Sequence, residues 1–308
     1  MRGDPVATRT RHWTRWRRRQ LRDMWRRASH VDVLGEEGRT TWICSWQRSG
    51  STLLAEVLAT PRGTRLIYEP ANLPQRIVTG EAAALTALPT GPGDELAAVE
   101  RALRGRVRGA WVDQLCDCHA VQRRVVKDVR AIGLLDLVSA RHPRVPIIVL
   151  VRHPLSIALS AVALGWTDPQ VGSVDEQLLI EVRRWTELHG AALRAPSTAR
   201  ALVIAYEHLV TDPDVTLDRV TAHLATHHRT WQDLAIDRRR LEAPSSTSFR
   251  RTTPRTANEW IGTFETVERG VLDETVRMLD AAGLGGLYGE SPEPLVGPDA
   301  LGRTPSLR

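Results

Sequence analysis

The chain reads as an α/β protein built on a central parallel β-sheet of about five strands flanked by helices. Three observations predict this. Short, largely apolar runs recur at residues 41–45, 65–68, 123–127, 146–151 and 201–206, and segments of helical periodicity separate them. The runs are apolar on both faces, which suits strands covered by helices on both sides. Four of them deliver a charged residue at or just beyond the C-terminal end: Arg48, Glu69, Lys127 and Arg152. That edge is where open parallel sheets bind ligands.

The element that organises the rest runs from Thr41 to Leu54. Thr41-Trp42-Ile43-Cys44-Ser45 suits a buried strand, and Leu53, Leu54, Val57 and Leu58 mark one face of a helix. Between them lies a polar turn around Gly50. A strand, a tight turn and a helix N-terminus bring backbone N–H groups together where the helix dipole favours an anion. Ser51 and Thr52 add hydroxyls, and Arg48 adds a cation. The stretch therefore reads as a phosphate-binding loop; the simpler account is an ordinary turn with a helix-capping serine. It is not the nucleotide-hydrolase form G-x-x-x-x-G-K-[ST], since Ser45 stands at the first glycine and Ser51 at the lysine.

The other elements follow in order. Residues 1–35 form a basic appendage. Its first 30 residues contribute +8 to the overall charge of +6, so the other 278 residues carry −2. Trp13, Trp16, Leu21, Met24 and Trp25 lie on one side of a helix and arginines on the other. Such a helix suits an acidic membrane surface or a protein partner; the simpler reading packs the tryptophans on the chain's own domain. No nucleic-acid partner is expected from an arginine run alone. One domain is expected over 36–288. In it, Glu69 ends the second strand and Asp94 caps a helix carrying Leu96, Val99 and Leu103. Lys127 ends the third strand. Pro146–Val151 is the most strand-like run and the expected centre of the sheet. Pro154 opens the helix after it, and further helices are expected over 173–195, near Val215–Leu224 and over 265–282. Residues 244–255 are rich in Ser, Thr and Arg, and 289–308 read as a loose Pro- and Gly-rich tail.

Composition narrows the function. No apolar run is long enough to cross a bilayer, and the N-terminus has no secretory apolar segment. Cys44, Cys116 and Cys118 are expected as reduced thiols in a cytoplasmic protein. Cys116-x-Cys118-His119 is too tightly spaced for a standard zinc site, and no metal is expected. Arginine supplies 41 of the 42 basic residues, and Lys127 is the sole lysine. Retention of one lysine fits a task that needs a compact ammonium.

Three segments resemble the sulfotransferases that use 3′-phosphoadenosine 5′-phosphosulfate (PAPS). Gln47-Arg48-Ser49-Gly50-Ser51-Thr52-Leu53-Leu54 is similar to the family's 5′-phosphosulfate loop. Val151-Arg152-His153-Pro154 with Ser160 is similar to its 3′-phosphate motif. Tyr206-Glu207-His208-Leu209 with Asp212-Pro213 resembles its YE-x-L…DP segment. His153 departs from the family's usual aspartate, and the family's later basic loop is matched only loosely, by Ser245–Arg255. The resemblance implies a P-loop-NTPase-like sulfotransferase architecture and transfer of a sulfuryl group from PAPS to a hydroxyl of a small-molecule or glycan acceptor, leaving PAP. It implies cofactor contacts from Arg48, Ser49, Gly50, Ser51, Thr52, Arg152 and Ser160, with Ser246 and Arg250 from the later loop; Ser248 is an alternative to Ser246. Lys127 and Arg48 would stabilise the transferring group and the leaving phosphate. Glu69, 21 residues after Arg48, falls where the protein-tyrosine sulfotransferases place a catalytic glutamate, with His153 and His119 as fallback bases. The competing readings are a catalytically degenerate nucleotide-binding scaffold and a kinase-like enzyme. The second is disfavoured because the loop lacks a lysine.

Overall fold

The computed structural model describes residues 31–32, 36–72, 92–109, 111–116, 120–167, 172–232, 234–243, 264, 266–289 and 294. The Arg-rich residues 1–30, the stretch 244–255 with Ser246, Ser248 and Arg250, and Cys118 and His119 lie outside them. The strands are β1 (Val31–Asp32), β2 (Thr40–Ser45), β3 (Thr64–Tyr68), β4 (Ala120–Val121), β5 (Arg123–Asp128), β6 (Ile147–Val151) and β7 (Leu202–Ala205). The α-helices are α1 (Ser51–Leu58), α2 (Pro92–Leu103), α3 (Leu135–Arg141), α4 (Pro154–Ala163), α5 (Val174–Arg194), α6 (Tyr206–Thr211), α7 (Pro213–His227) and α8 (Arg269–Ala281).

The main sheet has five strands in the order β3-β5-β2-β6-β7, and every pairing is parallel. β2 therefore occupies the middle, not β6 as its apolar run had led us to expect. Continuous apolarity reports that both faces are covered, which is equally true of β2 and β6. Connectivity decides position. After β2 the chain lays β3 and β5 on one side, then crosses back to place β6 and β7 on the other. The order reverses at the C-terminal end of β2, and a crevice forms there.

Alternation along β2 splits the core into two layers. Trp42 and Cys44 face α2, α3 and α5, packing with Val99, Leu135 and Trp185. Ile43 faces α1 and α7, packing with Leu54, Val57 and Leu217. Both α5 and α2 start close to the expected places. Ser173 and Glu176 form a reciprocal capping box at the start of α5, with N–H to side-chain distances of 3.3 and 3.0 Å. Helix α2 begins at Pro92, so Asp94 is not its cap but sits in its first turn, where a carboxylate complements the dipole.

The N-terminal halves of the strands are tied by charge. Asp32 bridges two guanidiniums, accepting from Arg65 at 2.8 Å and from Arg124 at 3.0 Å, and Arg65 also pairs with Asp113 at 2.8 Å. All four side chains are buried. Asp32, which the sequence placed in the appendage, thus clamps β3 and β5 to each other. The opposite edge of the sheet is left for ligands. Asp32→Ala removes a buried carboxylate from both Arg65 and Arg124 and should cost about 3–5 kcal/mol, measured by urea unfolding.

Candidate active site

The loop between β2 and α1 is shaped by backbone constraints. Arg48 and Gly50 have φ of +64° and +86°, so the chain turns through the left-handed region twice in three residues. Ser49 closes the turn, its hydroxyl donating to the Trp46 carbonyl at 2.7 Å. Gly50 is the N-cap of α1 and, having no side chain, supplies no side-chain cap. Ser51 is therefore not a capping serine. It and Thr52 lie buried in the first turn. Gly50 is required twice over: its φ disfavours any Cβ, and a Cβ there would lie 2.2 Å from Cδ2 of Tyr206. Tyr206, the first residue of α6, is the wall against which the loop closes.

On the β6 side, Arg152 follows the strand and is buried. Its Nη1 donates to the Arg48 carbonyl at 2.8 Å, and its guanidinium lies 4.7 Å from the centre of the Tyr206 ring. Arg48 in turn donates through Nε to Ser160 Oγ at 3.0 Å and sits 5.4 Å from the Trp166 ring. The predicted residues Arg48, Arg152 and Ser160 are therefore one cluster. Two guanidiniums, a hydroxyl and an uncapped helix N-terminus make a site for an anion with more than one charged group.

On the β5 side, pairing aligns Tyr68, Lys127 and Ile43 across three strands. Glu69, just beyond Tyr68, has φ +43°. Such a conformation costs a non-glycine residue roughly 1–2 kcal/mol. The turn aims the carboxylate back at the sheet edge, where Lys127 donates to Glu69 Oε1 and Asn72 Nδ2 donates to Oε2 at 3.0 Å. The Lys127 ammonium also lies 4.6 Å from the centre of the Tyr68 ring. Burial pushes the Glu69 pKa up, but the charge and hydrogen bond of Lys127, with hydrogen bonds from Asn72 and Tyr68, outweigh it and hold the carboxyl below its usual range. It is ionised at neutral pH. Beneath it, burial pushes Asp128 up to about 6 although the N–H groups of Arg130 and Ala71 donate to it. Burial and the charge of Asp128 push Glu95 up to about 7.

His153 is engaged elsewhere. Its Nδ1 accepts from the Leu155 N–H at 3.2 Å, capping α4, and its Nε2 donates to the Gly289 carbonyl at 3.1 Å. Its backbone N–H donates to Glu207, which also accepts from the Tyr288 hydroxyl at 2.9 Å. A capping aspartate would hold the helix start equally well; histidine does so while also binding the segment after α8. Both ring nitrogens are committed, so His153 has no lone pair for an acceptor proton. Burial drives its pKa down to about 4. Sequence reasoning missed Asn72, and did not foresee that Tyr206 walls the loop or that Trp166 lies beside Arg48. The short spacing from Glu69 to Asn72, one turn of 3₁₀ helix (Pro70–Asn72), was the available signal for the first.

Below about pH 6.5 the unfolded chain protonates His153, whereas the folded protein resists until about pH 4. The stability that the neutral ring contributes at pH 7 is lost as pH falls through that window, by roughly 3 kcal/mol. His153→Asn keeps a capping acceptor but cannot titrate, and should flatten the urea-derived stability profile between pH 6.5 and 4 by about one proton's worth.

A family model described as "Sulfotransferase family" matches residues 41–233. Among curated protein sequences, none matches the chain. Among solved structures, the chain is similar to the sulfotransferase domain of the Synechococcus PCC 7002 olefin synthase, at 17% identity and a TM-score of 0.47, covering 82% of this chain and 95% of that one. The sulfotransferase domain from the curacin biosynthetic pathway is similar at 18% identity and 0.48, covering 82% and 98%. Mouse sulfotransferase SULT7A1, complexed with PAP, is similar at 16% identity and 0.46, covering 84% and 92%. The family match carries the assignment, and its span holds the β2–α1 loop, the Arg152 and Ser160 pair and the Tyr206-Glu207 segment. The chain belongs to the sulfotransferase family.

Proposed function

We propose that this sulfotransferase takes its sulfuryl group from PAPS and delivers it to a hydroxyl of a small-molecule or glycan acceptor. The observation that carries the reading is the joining of Arg48, Arg152 and Ser160 at the N-terminus of α1. A nucleotide with phosphate at both the 5′ and 3′ positions needs two anion contacts close together, and this cluster supplies both. The Gly50 cradle and the first-turn residues Ser51 and Thr52 suit the 5′-phosphosulfate. Arg152 and Ser160 suit the 3′-phosphate, with Ser246 and Arg250, outside the described residues, as further contacts.

When bound, PAPS supplies a sulfuryl group on a phosphate leaving group. The chain's own work is positioning and electrostatics. Arg48 and the loop N–H groups neutralise charge as it gathers on the leaving phosphate. Glu69 accepts the proton of the acceptor hydroxyl at its carboxylate. Lys127 stands beside Glu69 and has two tasks: it keeps that carboxylate ionised, and it offers the transferring group a compact positive charge. A direct contact of Lys127 with Glu69 supports this sharing.

Calorimetric titration with PAP, AMP and ATP tests the cofactor. PAP should bind best, and Arg152→Ala should weaken PAP about ten- to a hundredfold while leaving AMP little changed. A preference for ATP would sink the reading. For the chemistry, PAP release from PAPS in an acceptor screen should fall about 10²- to 10⁴-fold in Glu69→Gln, with PAP affinity preserved. Undiminished turnover would exclude Glu69 as the base.

A further inference from the structure

We propose that Asn72 is a positioning residue that holds the Glu69 carboxylate in its reactive orientation. The inference rests on the reading of Glu69 as the base and adds to it the group that aims it.

The geometry is specific. Asn72 ends the 3₁₀ turn Pro70–Asn72, and its N–H donates to the Glu69 carbonyl at 3.1 Å. That closes the turn and brings its side chain back over Glu69, so Nδ2 reaches Oε2 at 3.0 Å. An ionised carboxylate only accepts, so the amide nitrogen must face it. The amide oxygen then points away, and among the described residues Asn72 Oδ1, though buried, has no hydrogen-bond partner. The residue is 2% exposed. An unpaired buried carbonyl costs free energy that an apolar side chain of the same size would not incur. With its polar atoms Asn72 donates to the Glu69 carboxylate and closes the turn beneath it.

The need for such a group follows from Lys127. Its ammonium holds Oε1 of Glu69, but the transfer step calls the same charge toward the sulfuryl group. As Lys127 leans away, the Asn72 amide stays on Oε2, with the Tyr68 hydroxyl as the other donor to the carboxylate. Asn72 is uncharged and does not compete for the transferring group. The turn that carries it is itself held from below, by the Ala71 N–H donating to Asp128 at 2.9 Å. The charged and titratable groups facing Glu69 are Lys127, Tyr68 and Asp128, with Glu95 behind Asp128.

The test replaces Asn72 with leucine, close in volume and without polar atoms. The Glu69 titration is followed by NMR on protein carrying carboxyl-labelled glutamate, with the resonance assigned by its loss in Glu69→Gln. Removing a hydrogen bond to the charged form should raise the Glu69 midpoint by about one pH unit. PAP affinity should be unchanged, and stability in urea should be unchanged or higher. Asn72→Ala, which asks the site to accept no larger apolar group, must move the midpoint in the same direction. An unmoved midpoint in both variants overturns the proposal, with or without a loss of stability. Full turnover in Glu69→Gln is a different failure: it removes the base reading and leaves the titration result standing.

Discussion

The active-site edge depends on one tight approach, that of the Gly50 backbone to the face of Tyr206. A glycine at φ +86° lets the chain leave β2 and enter α1 without a side chain at the N-cap position. The ring of Tyr206, starting the helix after β7, fills the space that any Cβ would need. Strand β2 in the middle of the sheet is thus linked through its loop to the far strand. The same ring lies beside Arg152, whose guanidinium holds the carbonyl of Arg48. A single aromatic side chain therefore sets the height of the loop and the position of a cation that faces it. The dipole of α1 acts within the first turn, and the N-cap glycine puts no side chain of its own in front of it.

The second cluster follows a different logic. Lys127 and Glu69 neutralise each other in a buried place where either alone would be costly. The strained backbone at Glu69, φ +43°, is retained because the turn, closed by the Asn72 N–H, is also tied to its surroundings. The Glu69 N–H donates to the Lys127 carbonyl at 2.7 Å, the Trp111 indole donates to the Glu69 carbonyl at 3.2 Å, and the Ala71 N–H donates to Asp128. The pair is a store of opposite charge at the sheet edge. In the proposed reaction, a ligand bringing its own negative charge would redistribute it: the ammonium would be drawn to the ligand and the carboxylate would gain basicity.

Much of the fold was legible because buried parallel strands announce themselves. Five runs became five strands, and the strand-end residues Arg48, Glu69, Lys127 and Arg152 sit at one edge. The order of the strands was less legible. The apolar run of β6 pointed to the centre, but both β2 and β6 are interior and only long-range pairing separates them. Arg48, Ser160 and Arg152 were readable from their motif spacing, yet their direct contacts were not, since these join residues 104 and 112 positions apart. Asn72 escaped notice because an asparagine two residues after a proline reads as turn chemistry. Asp32 escaped because a charge next to an arginine-rich segment reads as part of it.

The most direct test of the account is a crystal structure of the chain with PAP. The account predicts the 5′-phosphate at the N-terminus of α1 against Gly50, Ser51 and Thr52. It predicts the 3′-phosphate against Arg152 and Ser160, and Lys127 and Glu69 facing the place of the transferring group. A nucleotide bound away from the C-terminal edge of the sheet, for instance in the groove between α7 and the segment of Trp231 and Ile236, would contradict it.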